Sequence, residues 1–272
     1  MPGTEFAGVV EEVGHGVTWP KIGERVFGIA QRGALAEEIC VAAEGLLRIP
    51  DRLSFAEAAA VPVNYLTAAY GLIESAVLRP KQILLVLGGA GGTGTAAIKI
   101  GRMLGAHVIA AAASGEKRAF ALTHGADQVI DYSAYDWRKT LVSMTGGAPI
   151  DVVFDPVGGD ISPVAFRTLG WRGRHLVVGF AAGAIPALPM NLALLKGASL
   201  VGVDSAQIRK REPEVYDRII KDLVGWLEAG FVEAPPICAF PFTSFHDAFG
   251  TISSRHALGK VVVVMNNHHI TG

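Results

Sequence analysis

The feature that most constrains the fold is an alternation of strand and helix patterns along the middle of the chain. Short apolar runs rich in Val, Ile, Leu and Ala are separated by helical stretches and by turns that contain glycine. Repeated strand–helix units joined by short turns imply a parallel sheet with helices on both faces. The pattern therefore predicts an α/β, doubly wound parallel sheet. The predicted strands are 82–88, 107–113, 128–132, 150–156, 174–180 and 198–204, and the predicted helices are 92–104, 115–124 and 134–144.

A glycine-rich loop follows the first predicted strand. Residues 88–94 read GGAGGTG, and three of these glycines match the pattern G-x-G-x-x-G. Such glycines permit a tight turn, let a pyrophosphate approach the backbone and let the helix pack on the strand. A P-loop would need a lysine after the last glycine, and Thr95 stands there. The alternative is an ordinary turn, but the strand–helix context favours a dinucleotide site. Its predicted residues are Gly89, Gly91, Gly92, Thr93 and Gly94.

The end of the second predicted strand indicates which dinucleotide is bound. An acidic residue usually stands there when the cofactor has a free 2′-hydroxyl, and this strand ends in alanines before Ser114. Lys117 and Arg118 follow in the next helix. A hydroxyl and two cations suit a 2′-phosphate, which predicts NADPH. The alternative is a helix capped by Ser114 that carries solvated charges.

The two ends of the chain have a different pattern from the middle. Residues 1–50 contain short segments, GVVEEV, ERVFGIA and AEEICVA, that predict antiparallel strands, and Ser54 with Glu57 forms a possible capping box before a helical stretch within 51–79. The terminal GKVVVVM predicts a closing strand. The simplest arrangement is a barrel-like domain split around a nucleotide-binding insert, with boundaries at 1–65, 66–205 and 206–272.

Composition excludes several classes of function. The net charge is −1 and no basic block occurs, so neither nucleic acid nor a membrane is an expected partner. No apolar run reaches the length of a membrane span, and Cys40 and Cys238 form no motif, so we expect a cytoplasmic protein with two incidental thiols. The histidines show no ligand spacing and are expected at surface or hydrogen-bonded positions: His15, His107, His124, His175, His246 and His256, with His268 and His269 in a tail.

Motifs along most of the chain resemble those of a known superfamily. They include PGTEFAGVVEEVG, LSFAEAAAVPVNYLTAAYGL, GGAGGTG, DVVFDPVGG, GRHLVVGFAAG and LGKVVVV, in this order from Pro2 to about Met265. They are similar to the zinc-free quinone oxidoreductase branch of the medium-chain dehydrogenase/reductase superfamily. The resemblance implies a Rossmann domain of strand order 3-2-1-4-5-6 inserted in a GroES-like β-barrel catalytic domain, with NADPH bound.

The departures from the family pattern are equally informative. Zinc-dependent members carry G-H-E where this chain has Gly3-Thr4-Glu5, and a cysteine where it has Val63. Zinc sites in proteins use Cys and His ligands, so the resemblance implies no metal. Family members also begin several strands earlier, so we expect the N-terminal part of the GroES-like domain, with part of the substrate wall, to be missing from the printed sequence.

The remaining predicted site residues follow from the strand ends and from the resemblance. The carboxyl ends of the fourth and fifth strands should flank the nicotinamide ribose, while Asn64 and Tyr65 are expected near the substrate, Tyr65 as the best candidate for a proton donor. The resemblance implies that Tyr132 lies near the adenosine and that a C-terminal segment returns to the cofactor. The cofactor residues expected on these grounds are Thr67, Tyr132, Val157, Val178, Gly179, Phe180, Arg255 and Lys260.

The predicted function is hydride transfer from NADPH to a small hydrophobic acceptor, a quinone or a carbonyl-conjugated alkene. Hydride addition to either acceptor moves negative charge onto an oxygen, which hydrogen bonds can stabilise. Two alternatives stay open: an NADPH-binding sensor or interaction protein without turnover, and a reductase of enoyl thioesters. The strand at 198–204 should be the outer strand of the sheet, and an apolar edge there predicts a homodimer.

Overall fold

An antiparallel sheet of three short strands opens the fold. The computed structural model describes residues 2–265. Strands β1 (Glu5–Val9), β2 (Arg25–Ile29) and β3 (Leu46–Arg48) lie in that order, and Phe27 of β2 is buried against α1 (Phe55–Ala59). The predicted strand AEEICVA is wrong, because residues 36–42 form neither helix nor strand, and β3, further along the chain, pairs with β2 instead. The strand predicted at GVVEEV lies earlier, at Glu5–Val9.

The predicted capping box begins the first helix. The Ser54 hydroxyl accepts the amide hydrogen of Glu57 at 3.2 Å, and the Glu57 carboxylate accepts that of Ser54 at 2.8 Å. Helix α1 then stops, and α2 (Pro62–Ala69) starts with proline, which fits the first turn because its missing N–H needs no partner there. A turn of π-helix, Tyr70–Ser75, continues α2. The helical pattern predicted within 51–79 is therefore confirmed as separate helical segments.

The middle of the chain forms the predicted parallel sheet. Its order is β6-β5-β4-β7-β8-β9, which in strand numbering from the glycine loop is the predicted 3-2-1-4-5-6. One face of the sheet packs Leu87, Ile109 and Val153 against helical side chains such as Trp137 and Phe166. The strands are β4 (Ile83–Leu87), β5 (His107–Ala111), β6 (Gln128–Ile130), β7 (Ile150–Asp155), β8 (Leu169–Val177) and β9 (Ser199–Gly202), and the helices are α3 (Gly92–Met103), α4 (Gly115–Thr123), α5 (Trp137–Met144), α6 (Ile161–Phe166) and α7 (Met190–Lys196).

The ends of all six strands differ from the prediction, those of β5, β6, β8 and β9 by two or more residues, and side-chain caps explain two of these four. Strand β5 stops at Ala111, two residues earlier than predicted. Strand β6 stops at Ile130 because the Asp131 carboxylate accepts the Ser133 amide hydrogen at 2.8 Å and turns the chain. Strand β9 stops at Gly202 because Asp204 caps the next helix. Strand β8 begins at Leu169, earlier than predicted, across an irregularity in its pairing with β7.

The C-terminal part contributes three helices and a two-stranded parallel sheet. Helices α8 (Ser205–Arg211) and α9 (Pro213–Ala229) are followed by β10 (Ile237–Pro241), α10 (Phe245–Ser253) and β11 (Lys260–Val264). Helix α9 ends just before Gly230, whose φ of +75° is the left-handed conformation that glycine adopts at helix ends. Strand β10 pairs with β11. The predicted α/β fold with a GroES-like domain is confirmed.

The chain divides into two units. The first consists of Met1–Asn64 and Val224–Gly272, so far as these residues are described, and the second is Tyr65–Leu223, which holds the parallel sheet. Within residues 2–265, no helix combines the length and the apolar character that a membrane crossing requires. The histidines predicted to lie in a tail, His268 and His269, fall outside the described residues.

Candidate functional site

Two of the loop glycines are required by the fold itself. The loop leaves β4 at Gly88 in the left-handed conformation, with φ of +64°. A Cβ added to Gly89 would stand 2.8 Å from the Cβ of Ala110 on β5, and one added to Gly94 would stand 2.9 Å from the carbonyl carbon of Gly88. Such separations are too short for any side chain, so Gly89 and Gly94 let the first turn of α3 pack directly on the strand edge.

Gly91 is different, because no packing requires its missing side chain. It has an ordinary φ of −82°, and an added Cβ would meet only the Gly88 carbonyl oxygen, at 3.6 Å. Gly91 is also the N-cap of α3, and no side chain caps this helix. The space in front of the first turn, beside the half-buried Gly92 and Thr93, is therefore open to a ligand. A helix N-terminus of this kind suits a phosphate group.

Two of the predicted 2′-phosphate residues, Ser114 and Arg118, already form hydrogen bonds within the protein. The Ser114 hydroxyl caps α4 by accepting the Lys117 amide hydrogen at 3.2 Å. The Arg118 guanidinium donates to the carbonyls of Ala112 and Ala113 and forms an ion pair of 2.8 Å with Asp131. Ser114 therefore caps α4, and Arg118 holds the backbone just beyond β5. The structure brings Ser114, Lys117 and Arg118 together at one helix start, as predicted from their spacing.

Sequence reasoning missed Asp131 at this end of the sheet. Hydrogen bonds from Ser133, together with Arg118, hold the pKa of Asp131 below its ordinary value, so it is a carboxylate. Its negative charge is paired with Arg118. The signal was present, since Asp131 directly follows a strand, but the strand was predicted to run through it. Tyr132, next in the chain, packs half-buried against the core below the sheet.

The four residues predicted at the ends of β7 and β8 lie together. The amide hydrogen of Val178 bonds to the carbonyl of Asp155 at 2.9 Å, and that of Ala182 to the carbonyl of Val157 at 2.9 Å. The two segments therefore run side by side beyond the sheet. A Cβ on Gly158 would stand 2.8 Å from the Phe180 ring, so this ring covers the glycine. Val157, Val178, Gly179 and Phe180 form one surface.

Asp155 is buried beneath this surface and bonded to a histidine. One carboxylate oxygen accepts the amide hydrogens of Val157 and Gly158, each at 2.8 Å, and the other lies 3.0 Å from Nε2 of His175. Burial acts to raise the pKa of Asp155, but hydrogen bonds from His175 and Gly158 outweigh it, so the pKa lies below the ordinary value. The sequence indicated no role for His175, because a histidine inside an apolar strand has no distinguishing pattern.

The remaining predicted residues occupy separate places. Tyr65 is only 1% exposed, and the hydroxyl of Thr67 lies 2.6 Å from that of Ser205 within the second unit. In the first unit, the buried Asn64 amide donates to the Ala60 carbonyl at 3.3 Å.

The two C-terminal residues predicted to reach the cofactor lie in the first unit. Lys260 is ion-paired with Glu5, whose carboxylate also accepts the Val63 amide hydrogen at 2.8 Å. Arg255 lies exposed just beyond α10, with φ of +58°. Their predicted role toward the cofactor stays a prediction.

Two family models match the chain. One, described as the alcohol dehydrogenase GroES-like domain, covers residues 1–51, and the other, described as zinc-binding dehydrogenase, covers residues 92–221. The residues present do not fit a zinc ion: across positions 2–265, no three His, Cys, Asp or Glu side chains are grouped so that they could hold a metal. The absence of zinc from the protein itself stays a prediction.

Similar proteins support the same assignment. "Quinone oxidoreductase-like protein 2" of Bos taurus is 37% identical over 96% of this chain and 75% of its own length. The crystal structure of Escherichia coli quinone oxidoreductase complexed with NADPH is 28% identical with a TM-score of 0.87 over 97% of this chain and 82% of that one. The crystal structure of CurK enoyl reductase is 28% identical with a TM-score of 0.88 over 97% and 79%. The chain therefore belongs to the medium-chain dehydrogenase/reductase superfamily, among the quinone oxidoreductases, and the predicted family and oxidoreductase class are confirmed.

Proposed function

We propose that the chain is an NADPH-dependent reductase that delivers hydride to a quinone or a carbonyl-conjugated alkene without zinc. The observation that carries the proposal is the open helix N-terminus at Gly91, where no packing explains the missing side chain. The quinone oxidoreductase solved with NADPH, which this chain resembles along almost its whole length, supports the choice of cofactor.

The second unit offers groups for each part of the cofactor. When bound, NADPH supplies the hydride, and the protein supplies binding and orientation. The first-turn amides of Gly92 and Thr93 would hold the pyrophosphate in front of Gly91, whose own amide hydrogen bonds to the Gly88 carbonyl at 3.0 Å. Ser114 with Lys117 would hold the 2′-phosphate while Arg118 and Asp131 fix the strand end. Tyr132 would lie beside the adenosine. The surface of Val157, Val178, Gly179 and Phe180, with Thr67, would receive the nicotinamide half.

Without metal ligands, the acceptor oxygen must be stabilised by hydrogen bonds. A quinone or an enone suits this chemistry, because hydride addition places charge on an oxygen that amides, hydroxyls or water can bind. The similarity to an enoyl reductase favours one second candidate, reduction of an enoyl thioester, by the same charge argument. Proton donation by Tyr65, or assistance from Asn64, stays a prediction, and the burial of Tyr65 counts against direct access to solvent.

The test is cofactor oxidation with a panel of acceptors. NADPH consumption should be followed with 1,4-benzoquinone, with an enone and with crotonyl-CoA, each before and after incubation with a chelator. We expect turnover with the quinone or the enone that the chelator leaves unchanged. Binding of NADPH without turnover of any acceptor would favour the sensor alternative, and loss of activity with the chelator would overturn zinc independence.

A related prediction concerns the choice between NADPH and NADH. The unmodified chain should bind NADPH at least tenfold more tightly, about 1.4 kcal/mol, because cations and no unpaired acid stand at the end of β5. Lys117→Ala should reduce this preference by about threefold or more, since it removes the cation that is proposed to hold the 2′-phosphate with Ser114. Titration calorimetry with both cofactors measures the ratio.

The control for Lys117→Ala is Lys139→Ala. Lys139 lies on α5, where its side chain is 81% exposed and its ammonium pairs with Asp136 at 3.1 Å. Its loss should leave the cofactor ratio unchanged, because it is a solvated cation of the same charge. Equal affinity for both cofactors in the unmodified chain would contradict the assignment of the 2′-phosphate site.

We also propose that the chain forms a homodimer. Strand β9 is the outer strand of the parallel sheet, and α7, which precedes it in the chain and packs on β8, exposes Met190, Leu194 and Leu195. An apolar edge left bare favours association, and a two-fold axis is the commonest way to cover it. The charged stretch 207–214 does not cover the strand, since Leu200 stays 55% exposed.

A further inference from the structure

We infer that His175 is a positioning residue for the nicotinamide half of the cofactor site. Through Asp155 it holds residues 156–159, called the β7 loop below, in the shape that receives a ligand. The inference rests on the proposed function, because the ligand concerned is NADPH. His175 itself touches no ligand: it lies in β8, opposite Val153 of β7, and is fully buried.

Asp155 anchors the β7 loop, because its hydrogen bonds go to the loop backbone and to His175. One of its oxygens takes the amide hydrogens of Val157 and Gly158, and the other takes Nε2–H of His175. The side chain is 3% exposed, so it cannot reach a bound ribose. Asp155 therefore acts on the loop backbone and not on the cofactor.

The β7 loop needs such an anchor because of its conformation. Gly158 and Gly159 both adopt left-handed backbone angles, with φ of +66° and +61°. Glycine reaches this region without steric cost but loses more backbone freedom than other residues when it is held there. The two amide bonds to Asp155 hold the first half of the loop, and the bond from the Gly159 amide to the Ala184 carbonyl, at 3.0 Å, holds the second.

In its surroundings His175 contributes polar contacts through one ring atom, Nε2, which lies within hydrogen-bond distance of both Asp155 and the Ser162 hydroxyl. It lies among apolar side chains, with the Phe166 ring centroid 5.9 Å away, where an aliphatic residue would cost less to bury. Its Nε2 reaches Asp155 and lies 3.3 Å from the Ser162 hydroxyl oxygen, while its Nδ1 has no hydrogen-bond partner among the described residues. A carboxylate only accepts hydrogen bonds, so the ring carries its hydrogen on Nε2. Without that donor, a buried carboxylate oxygen would lose its strongest partner.

The loop that this bond holds is the one that faces the proposed ligand. The β7 loop and residues 178–182 run side by side at the carboxyl ends of β7 and β8, joined by the bonds from Ala181 to Pro156 and from Ala182 to Val157. Ligands of open parallel sheets bind at these strand ends. A shift of the β7 loop would move this surface and reach the glycine loop only where Val157 packs beside Gly88, whereas the adenosine end of the sheet, at β5 and β6, lies on the other side of β4.

The experiment compares His175→Leu with His175→Gln. The leucine variant removes the hydrogen-bond donor, whereas glutamine can present an Nε2–H at a similar reach. Affinity is measured by calorimetry for NADPH and for 2′,5′-ADP, which carries only the adenosine end. His175→Leu should raise the Kd for NADPH by about tenfold, 1.4 kcal/mol, and leave the Kd for 2′,5′-ADP within about twofold, while His175→Gln should stay near the unmodified protein for both.

A second readout needs no cofactor. Amide hydrogen exchange at Val157 and Gly158 should be at least about tenfold faster in His175→Leu than in the unmodified protein, because these amides lose a firmly held acceptor. Should the leucine variant fail to fold, the nitrogen shifts of His175 in the unmodified protein still test the geometry, since they report which ring nitrogen carries the hydrogen.

The outcomes separate the inference from the proposed function. An unmodified chain that binds neither NADPH nor 2′,5′-ADP would refute the proposed function, whatever the exchange data show. The positioning role is overturned by equal losses for the two ligands in His175→Leu, by unchanged NADPH affinity with unchanged exchange, or by a hydrogen found on Nδ1 of His175.

Discussion

Gly91→Ala is expected to abolish tight cofactor binding while the protein stays folded. An added Cβ meets only one protein atom within 4 Å, at 3.6 Å, so the fold has room for it. The same methyl group would occupy the space in front of α3 where the pyrophosphate is proposed to bind. We expect the Kd for NADPH to rise about 100-fold, roughly 2.7 kcal/mol. The melting temperature should change by less than about 2 °C. Calorimetry and thermal unfolding measure the two effects.

Two other glycines provide the matched controls. Gly94→Ala drives its Cβ into the backbone of Gly88 and should destabilise the protein by about 3 kcal/mol. Gly225→Ala lies in α9, where an added Cβ meets nothing within 4 Å, and should leave NADPH affinity unchanged while it stabilises the helix by up to about 1 kcal/mol. If Gly91→Ala behaves like Gly225→Ala in both assays, the glycine loop holds no ligand.

The contrast between Gly91 and Gly94 shows what the sequence could not distinguish. Both belong to G-x-G-x-x-G, and the pattern correctly predicted a strand, a turn and a helix in this order. Only coordinates show that Gly94 is required by the approach of two backbones, whereas Gly91 leaves a space that the fold does not use. The glycine pattern and the hydrophobic period of the flanking segments predict where the loop lies. The distances between its backbone atoms depend on how the helix packs on the sheet.

The parallel sheet was predictable from the sequence pattern, because apolar runs of strand length alternate with helices and short right-handed connections leave few possible topologies. The order of its strands came from the family resemblance. The strand ends were less predictable, because single side chains such as Asp131 and Asp204 end the strands by capping turns. A carboxylate that caps a turn and one that continues a strand look alike in the sequence until its hydrogen-bond donor is located.

Part of the candidate site was beyond sequence reasoning because it depends on contacts between distant residues. Arg118 was predicted for the 2′-phosphate, but Asp131, which directly follows the next strand, forms an ion pair with it. His175 and Asp155 are 20 residues apart and meet only because β7 and β8 are neighbours in the sheet. In both pairs the two residues meet because the strands that contain or precede them are neighbours in the sheet. The spacing of the residues along the chain therefore does not predict the pair.

A charge on the apolar face of α7 is expected to convert the proposed homodimer into a monomer. The exposed fractions are 88% for Met190, 79% for Leu194 and 75% for Trp171, whose ring lies against Gly197 at the end of α7. Leu194→Glu places a carboxylate on this face, and a two-fold interface contains every substitution twice. We expect the dimer Kd to rise at least about 100-fold, roughly 2.7 kcal/mol, as measured by analytical ultracentrifugation.

The control is Leu122→Glu on α4, where the leucine is 46% exposed in the same unit and the helix packs on β5 and β6, at the other end of the sheet from β9. It introduces the same charge and should leave the dimer intact. An unmodified chain that sediments as a monomer at every concentration would contradict the proposal, as would equal effects of the two variants.

The strand edge itself is tested with proline, and the structure decides where the proline goes. The Val203 amide hydrogen already bonds to the Val177 carbonyl of β8 at 2.9 Å, so a proline there would break the sheet from within. Amides along a strand alternate in direction, so the Val201 amide points inward as well and the Leu200 amide points to the open edge. Leu200→Pro should therefore weaken pairing between two copies while β9 stays joined to β8. If it unfolds the second unit and leaves association of the folded fraction unchanged, the edge of β9 is not the dimer contact.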